Sequence, residues 1–257
     1  MANISAEWLN LGPVSPYVMA VPVLLVVGVL VQTQWTENRR AVHIHVQKSC
    51  MDGLRDIGRD PKVFLAGIVQ SLFESAMYIF VFIWTPVLDK SHAPLGFVFA
   101  SFMASTVTGA ATFDLLRRRG VSVPSLLASS VVIAGLGNVL AAVAARPDDT
   151  HHTLAFIAFI IIEFSVGVYF RAMTIVRTRV VPQATRSAVN SWFRVPLNLI
   201  ACIILMCMHN DAFRHGNRLI FLSCTALLAL ASVAVTCLVS LIRRDDDFGD
   251  LVTVNGA

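Results

Sequence analysis

The composition of this 257-residue chain excludes a soluble globular domain. Hydrophobic residues make up 56% of the chain, charged residues 14%, and the mean hydropathy is +0.71, values typical of proteins that cross a bilayer. The net charge of +4 does not indicate a nucleic-acid partner, because the basic residues lie between apolar stretches. The composition therefore predicts an all-α polytopic membrane protein, since a spanning helix satisfies its backbone polar groups internally.

Seven apolar stretches are long enough, or nearly so, to cross a hydrocarbon core of about 30 Å. In chain order they are Val14–Val31, Val63–Leu88, Pro94–Leu116, Val123–Ala144, Thr153–Met173, Val189–Met208 and Leu219–Ile242. The longest connection, Gln32–Lys62, carries Met51, Leu54 and Ile57 at helical spacing, which favours a short interfacial helix. Such a helix could bind anionic lipid, or the connection could simply be a solvated link between two halves of a bundle.

The distribution of basic residues predicts the orientation. Most of the 20 Lys and Arg residues lie in the odd-numbered connections and just after the last stretch, so the positive-inside rule places the N-terminus outside and the C-terminus in the cytosol. The first 13 residues contain no Lys or Arg, which favours a retained first helix over a secretory signal. The plasma membrane is the default location, and an internal membrane is the alternative.

Glu74 is an ionisable residue in the second apolar stretch, roughly 16 Å from its Lys62 end. A charge at that depth costs at least about 2.5–3.5 kcal/mol unless it is paired or hydrated. Gln70 and Tyr78 lie four residues to either side, hence on the same helix face. This pattern indicates a pathway for ions, protons or polar solutes. A structural pairing with an arginine, or a neutral acid, would explain it equally well.

Two further polar stripes repeat this spacing in later apolar stretches. They are Asn190, Arg194 and Asn198 in the sixth stretch and Glu163, Gly167 and Arg171 in the fifth. Isolated polar residues usually join helices, but three aligned stripes predict a water-accessible cavity. Arg194 would be its anion site, because a guanidinium stays charged and its planar fork fits an oxyanion. Glu74 or Glu163 would balance that charge or take up a proton, unless a static Glu–Arg pair merely joins two helices.

Other patterns indicate packing rather than chemistry. Ser101, Ser105 and Gly109 recur every fourth residue in the third stretch, as in helix contacts inside membranes. The run GAATFDLLRRRG ends that stretch, and its Asp could latch to a neighbouring helix end or simply accompany a basic anchor. No GxSxG, P-loop or dinucleotide motif occurs, and no His or Cys group has metal-ligand spacing. We therefore expect no enzymatic activity, no cofactor and no metal site.

Several long strings in this chain resemble the molybdate-anion transporter family of the major facilitator superfamily. They are GIVQSLFESAMYIFVFIWTPVLD, APLGFVFASFMAS, IAFIIIEFSVGVYFRAM, VVPQ and VNSWFRVPLNLIAC. The similarity runs from about Cys50 to Asp247 and resembles the C-terminal half of such a transporter. GAATFDLLRRRG is similar to a degenerate copy of the superfamily loop motif G-x-x-x-D-x-x-G-R-R.

The resemblance implies a division of the chain into four segments. Residues 1–34 would be the last helix of an N-terminal half, 35–62 a cytosolic central loop, 63–244 a six-helix bundle and 245–257 a cytosolic tail. It also implies transport of molybdate or a related oxyanion by alternating access at a midplane site, if an N-terminal half completes the protein. From depth and charge, the residues expected to bind the anion are Arg194, Asn198, Glu74, Gln70 and Glu163.

Two other functions fit the sequence less directly. A truncated half that does not transport could regulate or scaffold a full-length transporter. Since the resemblance implies that five helices of the first half are missing, we expect either an incomplete gene product or a chain that pairs with another half or with a second copy of itself. A seven-helix receptor has the same topology, but no D-R-Y-like triplet ends the third stretch. No N-P-x-x-Y motif or Schiff-base Lys lies in the seventh, so a receptor is disfavoured.

Overall fold

A computed structural model describes residues 15–35, 46–89, 95–145, 151–207 and 217–255. These ranges contain eight helices. They are α1 (Ser15–Gln34), α2 (Val46–Arg59), α3 (Pro61–Asp89), α4 (Leu95–Arg118), α5 (Val123–Ala144), α6 (His152–Val180), α7 (Arg186–Cys207) and α8 (Asn217–Asn255). The chain divides into two units, residues 1–44 and 45–257. The described part of the first unit is α1, and the second contains α2 to α8.

Six of the described helices, α3 to α8, are long and apolar enough to cross a membrane. They overlap the last six predicted stretches, although α6 and α8 extend further than predicted, and the all-α polytopic class is confirmed. The first predicted stretch corresponds to α1, whose apolar part, Ala20–Gln34, is shorter. The predicted terminal residues Val14, Pro94 and Met208 lie outside the described residues.

The second unit is built on an inner ring of four helices. α3 packs on α8, α8 on α5, α5 on α6, and α6 returns to α3. α4 packs on α6 and α7 packs on α3, so these two helices lie outside the ring. Aromatic side chains fill the core, with Phe80 in an edge-to-face contact with Phe159 at a centroid distance of 5.1 Å. Such pairs add to the dispersion energy of a close-packed interior.

Local sequence explains where several helices begin and end. Asp60 caps α3 by accepting a hydrogen bond from the Lys62 N–H at 2.8 Å, and Pro61 follows it at the first helical position. Gly120 ends α4 at a φ of +88°, a value that favours glycine. The Val121 N–H then donates to the Leu116 carbonyl at 3.1 Å, which completes a Schellman turn.

The predicted packing stripe of α4 is confirmed at its contact with α6. A Cβ added at Gly109 would lie 2.1 Å from the Phe164 carbonyl oxygen, and one added at Gly167 would lie 2.0 Å from the Thr106 carbonyl oxygen. Ser105 also donates to the Ile160 carbonyl at 2.8 Å. The two backbones therefore touch, which only glycine permits at these positions.

The predicted latch and the predicted connection helix are both visible. The Asp114 carboxylate on α4 lies 4.0 Å from the Arg171 guanidinium on α6, with both side chains about half exposed. A pair this exposed contributes about 1 kcal/mol at most. The short helix expected in the long connection is α2, Val46–Arg59, and it packs mainly on α7. Residues 36–45 of that connection lie outside the described residues.

Candidate functional site: a polar cavity between three spans

A cavity of about 500 Å³ opens between α3, α6 and α7. Its volume equals that of roughly 15 water molecules at about 30 Å³ each. Four lining residues come from each helix. They are Gln70, Glu74, Met77 and Tyr78 on α3; Phe170, Met173, Thr174 and Arg177 on α6; and Asn190, Arg194, Leu197 and Asn198 on α7. The predicted stripes on α3 and α7 therefore face each other across a common space.

Two guanidinium groups reach this cavity from different helices. Arg194 comes from the middle of α7, and Arg177 from the last turn of α6. The Arg177 Nη1 lies 3.5 Å from the Oε1 of Gln70, a long contact that lets α3 help to orient it. Each guanidinium can present a planar fork of donors to an oxyanion.

Glu74 is held by an aromatic pair rather than by an arginine. The Tyr169 hydroxyl donates to its Oε1 at 3.4 Å. The Tyr169 ring stacks on Phe73, with centroids 3.7 Å apart and planes 13° from parallel. Within the described residues Glu74 forms no direct ion pair, although Arg177 and Arg194 both act on it electrostatically. A static Glu–Arg pair is therefore absent from the described part of the site.

Two serines fix α7 against α3 beside the cavity. The Ser71 hydroxyl is shared between the Gly67 carbonyl of its own helix at 2.7 Å and the Phe193 carbonyl at 3.2 Å, and the Ser75 hydroxyl between the Ser71 carbonyl at 2.5 Å and the Leu197 carbonyl at 3.0 Å. Both serines are buried, where an unpaired polar group would be costly. Pro196 interrupts the α7 hydrogen-bond ladder in the same stretch. These bonds set the position of the α7 backbone that carries Arg194 and Asn198.

The structure places Glu163 outside this cavity. The α6 lining residues begin at Phe170, seven positions later, which is about 10 Å along a helix. Glu163 is buried, and its carboxylate accepts a hydrogen bond from Thr106 on α4 at 2.8 Å. The remainder of its stripe, Gly167 and Arg171, also meets α4. The expected α6 stripe therefore serves the contact with α4.

Arg177 is the site residue that the sequence did not reveal. The hydropathy pattern ends the fifth stretch at Met173, and Arg177 then counts with the basic residues of a connection. In the structure α6 continues to Val180, so Arg177 lies on a helix and lines the cavity. The signal was its position four residues after Met173 and seven after Phe170, which places all three on one face.

The lining chemistry suits a polar anion and offers little to a metal ion. Asn190 and Asn198 add amide groups to the two guanidiniums. The Asn190 Oδ1 is buried and has no partner within the described residues. In the part of the chain that the structure describes, no group of three His, Cys, Asp or Glu residues could hold a metal.

Six helices long and apolar enough to cross a membrane, with a polar cavity between three of them, define a polytopic membrane protein. Residues 1–167 match a family model described as sugar transporters with 12 transmembrane segments. Proteins named molybdate-anion transporter are 39% identical over 248 residues in Xenopus laevis and 34% identical over 279 residues in Takifugu rubripes. The matches cover 96% of this chain, and 55% and 58% of those two relatives.

The chain therefore belongs to the molybdate-anion transporter family of the major facilitator superfamily. It spans little more than half the length of the curated relatives that it matches.

Proposed function

We propose that this chain supplies the anion-binding half of a membrane transporter for molybdate or a related tetrahedral oxyanion. The observation that carries the proposal is the convergence of Arg177 and Arg194 on one cavity. Two forks of donors from different helices can hold a tetrahedral dianion from two sides. The name of the Xenopus laevis relative, molybdate-anion transporter, supports molybdate as the substrate.

The proposed substrate-binding residues are Arg194, Asn198, Glu74 and Gln70, with Arg177 added. The arginines and Asn198 would contact the anion, and Gln70 would orient Arg177. Glu74 would carry a negative charge in the empty site and a proton when the dianion is bound. Glu163 is not part of this proposed site, because its carboxylate is engaged by Thr106 on α4.

The proposed mechanism is alternating access between two halves of a complete transporter. In this proposal residues 63–244 form one half, residues 1–34 hold a helix of the other, residues 35–62 form the cytosolic loop, and 245–257 the cytosolic tail. α4 and α7 have the lowest buried share among the six candidate spans, and on α7 the cavity residues Arg194 and Asn198 are exposed, which supports docking of further helices over the open side of the cavity. The N-terminus would lie outside and the C-terminus in the cytosol, with the plasma membrane as the expected location.

The test separates binding from transport. Equilibrium dialysis of the purified chain with radiolabelled molybdate should show saturable binding, which sulfate competes for if selectivity is low. Uptake into proteoliposomes should then require the N-terminal part of a relative, such as that from Xenopus laevis, reconstituted together with the chain. Absence of saturable oxyanion binding, with or without the added half, would refute the proposal.

A second candidate function is a half that does not transport but regulates or scaffolds a full-length transporter. The chain spans little more than half the length of each relative. Two results together would favour this function over transport. The chain would co-purify stably with a full-length transporter, and no reconstituted combination that uses the chain as the binding half would take up molybdate.

A further inference from the structure

We infer that α2 carries a binding site for the headgroup of an anionic phospholipid, formed by Arg55 and Arg59 beside the apolar pair Met51 and Leu54. This site lies apart from the cavity and does not depend on the proposed transport function. It rests on three features of α2: where the helix lies, which side chains it leaves exposed, and how those side chains are ordered along its axis.

The position of α2 places it at a membrane boundary. It ends at Arg59, and one residue, Asp60, separates it from α3, which is long and apolar enough to cross a membrane. Three contacts with the start of α7 fix it there. The Trp192 Nε1 donates to the Cys50 carbonyl at 3.0 Å, Gly53 meets Ala188, and the Thr185 hydroxyl donates to the Asp56 carboxylate at 2.6 Å. Gly53 matters here, because an added Cβ would lie 2.8 Å from the Ala188 Cβ.

The α7 face that α2 covers continues into an apolar surface. Val195, Leu199 and Ile203 follow Ala188 and Trp192 at helical spacing, and each is more than half exposed. The cavity residues Asn190, Arg194 and Asn198 lie on the opposite side of α7. A helix crossing a bilayer presents such an exposed apolar face to lipid, so α2 stands on the lipid-facing side of the bundle.

The exposed face of α2 combines apolar and basic side chains. Met51 is 61% exposed and Leu54 42% exposed. Arg55 and Arg59 are also exposed and form no ion pair with any described residue. Asp52 and Asp56 lie within one turn of Arg55, but neither forms an ion pair with a described residue, and Asp56 accepts a hydrogen bond from Thr185. Two guanidiniums one helical turn apart are therefore available to a phosphate group.

The order of these residues follows the polarity gradient of a membrane. Cys50 contacts Trp192, inside α7, whereas Asp56 contacts Thr185, which precedes α7. α2 thus runs antiparallel to the first turns of α7, with its Met51 end deeper and its Arg59 end nearer water. The apolar side chains deeper in the membrane can contact the lipid tail. The guanidiniums nearer the water can bind its anionic headgroup.

The test uses Trp192 as a local reporter, since it lies at the junction of α2 and α7. The other three tryptophans are replaced by Phe, and the protein is reconstituted in phosphatidylcholine vesicles. Brominated phosphatidylserine should quench Trp192 fluorescence more strongly than brominated phosphatidylcholine at the same mole fraction. Because each basic residue near an anionic surface contributes roughly fivefold to affinity, the double variant Arg55→Gln, Arg59→Gln should lose this preference.

The matched control is Arg117→Gln, Arg118→Gln, which removes two exposed arginines from the end of α4 on the same membrane face. It should keep the preference for phosphatidylserine. The inference would be overturned if both brominated lipids quenched Trp192 equally in the protein that keeps Arg55 and Arg59. It would also be overturned if both double variants lost the preference for phosphatidylserine to the same extent. If the Phe substitutions impair folding, the protein with its natural tryptophans is used instead. Native mass spectrometry then compares how much phosphatidylserine and phosphatidylcholine it retains.

Discussion

At the scale of single residues, the pairing of Arg177 with Arg194 decides what the cavity can bind. A single arginine in a span can be satisfied by backbone carbonyls or a neighbouring acid. The two guanidiniums on separate helices exceed the single negative charge that Glu74 can supply among the described lining residues, so they need a further anionic partner or water. Among the described residues neither guanidinium forms an ion pair with Glu74, although both act on it electrostatically.

The first prediction concerns these guanidiniums. Arg194→Lys and Arg177→Lys should each lower molybdate affinity by roughly tenfold or more, because lysine keeps the charge but loses the two-point contact. Equilibrium dialysis measures the dissociation constant. Arg171→Lys is the control, since Arg171 lies on α6 but faces Asp114 instead of the cavity. Unchanged affinity in both cavity variants would remove the arginines from the site.

The second prediction concerns Glu74 and pH. Of the described lining residues, Glu74, Arg177 and Arg194 carry charge, so protonation of Glu74 makes the cavity more positive. Dianion affinity should therefore rise as pH falls through the titration of Glu74, over a range where molybdate remains a dianion. Glu74→Gln imitates the protonated form, so it should bind tightly at high pH and lose the pH dependence.

We also expect Glu74→Gln to transport molybdate more slowly. In the proposed mechanism Glu74 loses its proton and regains its negative charge when the anion leaves, and glutamine cannot do so. Glu163→Gln is the matched control, since Glu163 is a buried carboxylate outside the cavity. It should retain the pH dependence of binding. A pH profile in Glu74→Gln that equals that of the unsubstituted protein would show that another group titrates.

At the scale of helices, the contact between α4 and α6 depends on glycine. The carbonyls of Thr106 and Phe164 lie where Cβ atoms at Gly167 and Gly109 would be. Ser105 and Thr106 then bond across the contact to Ile160 and Glu163. Close approach and hydrogen bonding therefore support each other, and both depend on the absence of a side chain at two positions.

The third prediction tests this contact. Gly167→Ala should destabilise the protein by roughly 1–3 kcal/mol, because α4 must move away from α6. Gly135→Ala on α5 is the control, since its new Cβ would meet only the Leu228 Cβ, at 3.8 Å. Both changes gain the same helix propensity, so thermal unfolding in detergent isolates the effect of the contact. Equal midpoints for the two variants would contradict it.

The sequence predicted helices well where hydropathy changes abruptly, and poorly where a polar site enters a helix. Val123–Ala144 is both the predicted stretch and the observed α5. α6 instead extends seven residues past the predicted Met173, because Arg177 and Arg179 end the apolar pattern without ending the helix. Gln70, Glu74, Arg194 and Asn198 share a cavity as predicted, since four-residue spacing fixes a face.

Tertiary packing decided the remaining site residues. Spacing alone places Glu163 on roughly the same side of α6 as Arg177. It could not tell which helix would meet Glu163, and Thr106 on α4 does so. A stripe with a period of four residues also drifts around a helix of 3.6 residues per turn, which carries Gly167 and Arg171 towards α4. The periodicity of one helix does not show which helix packs against each of its faces.

At the scale of the whole molecule, the polar cavity has walls from only three of the described helices. Charged groups facing lipid would be costly, so a cavity of this kind needs either water or further helices on its open side. The relatives are nearly twice as long as their matched segments, and in the proposed transporter further helices form the cover. The orientation of the bundle in the membrane is a separate property of the whole molecule. It decides which side of the bilayer the start of α3 faces.

The fourth prediction tests that orientation. In a background without cysteine, Gly58→Cys on α2 and His151→Cys before α6 lie at opposite membrane faces, because three spans separate them. Nothing lies within 4 Å of a Cβ at Gly58, so a thiol there is accessible. A maleimide that cannot cross membranes should label His151→Cys in intact cells and Gly58→Cys only after permeabilisation. The reverse pattern would invert the topology, and labelling of neither until the plasma membrane is opened would place the protein in an internal membrane.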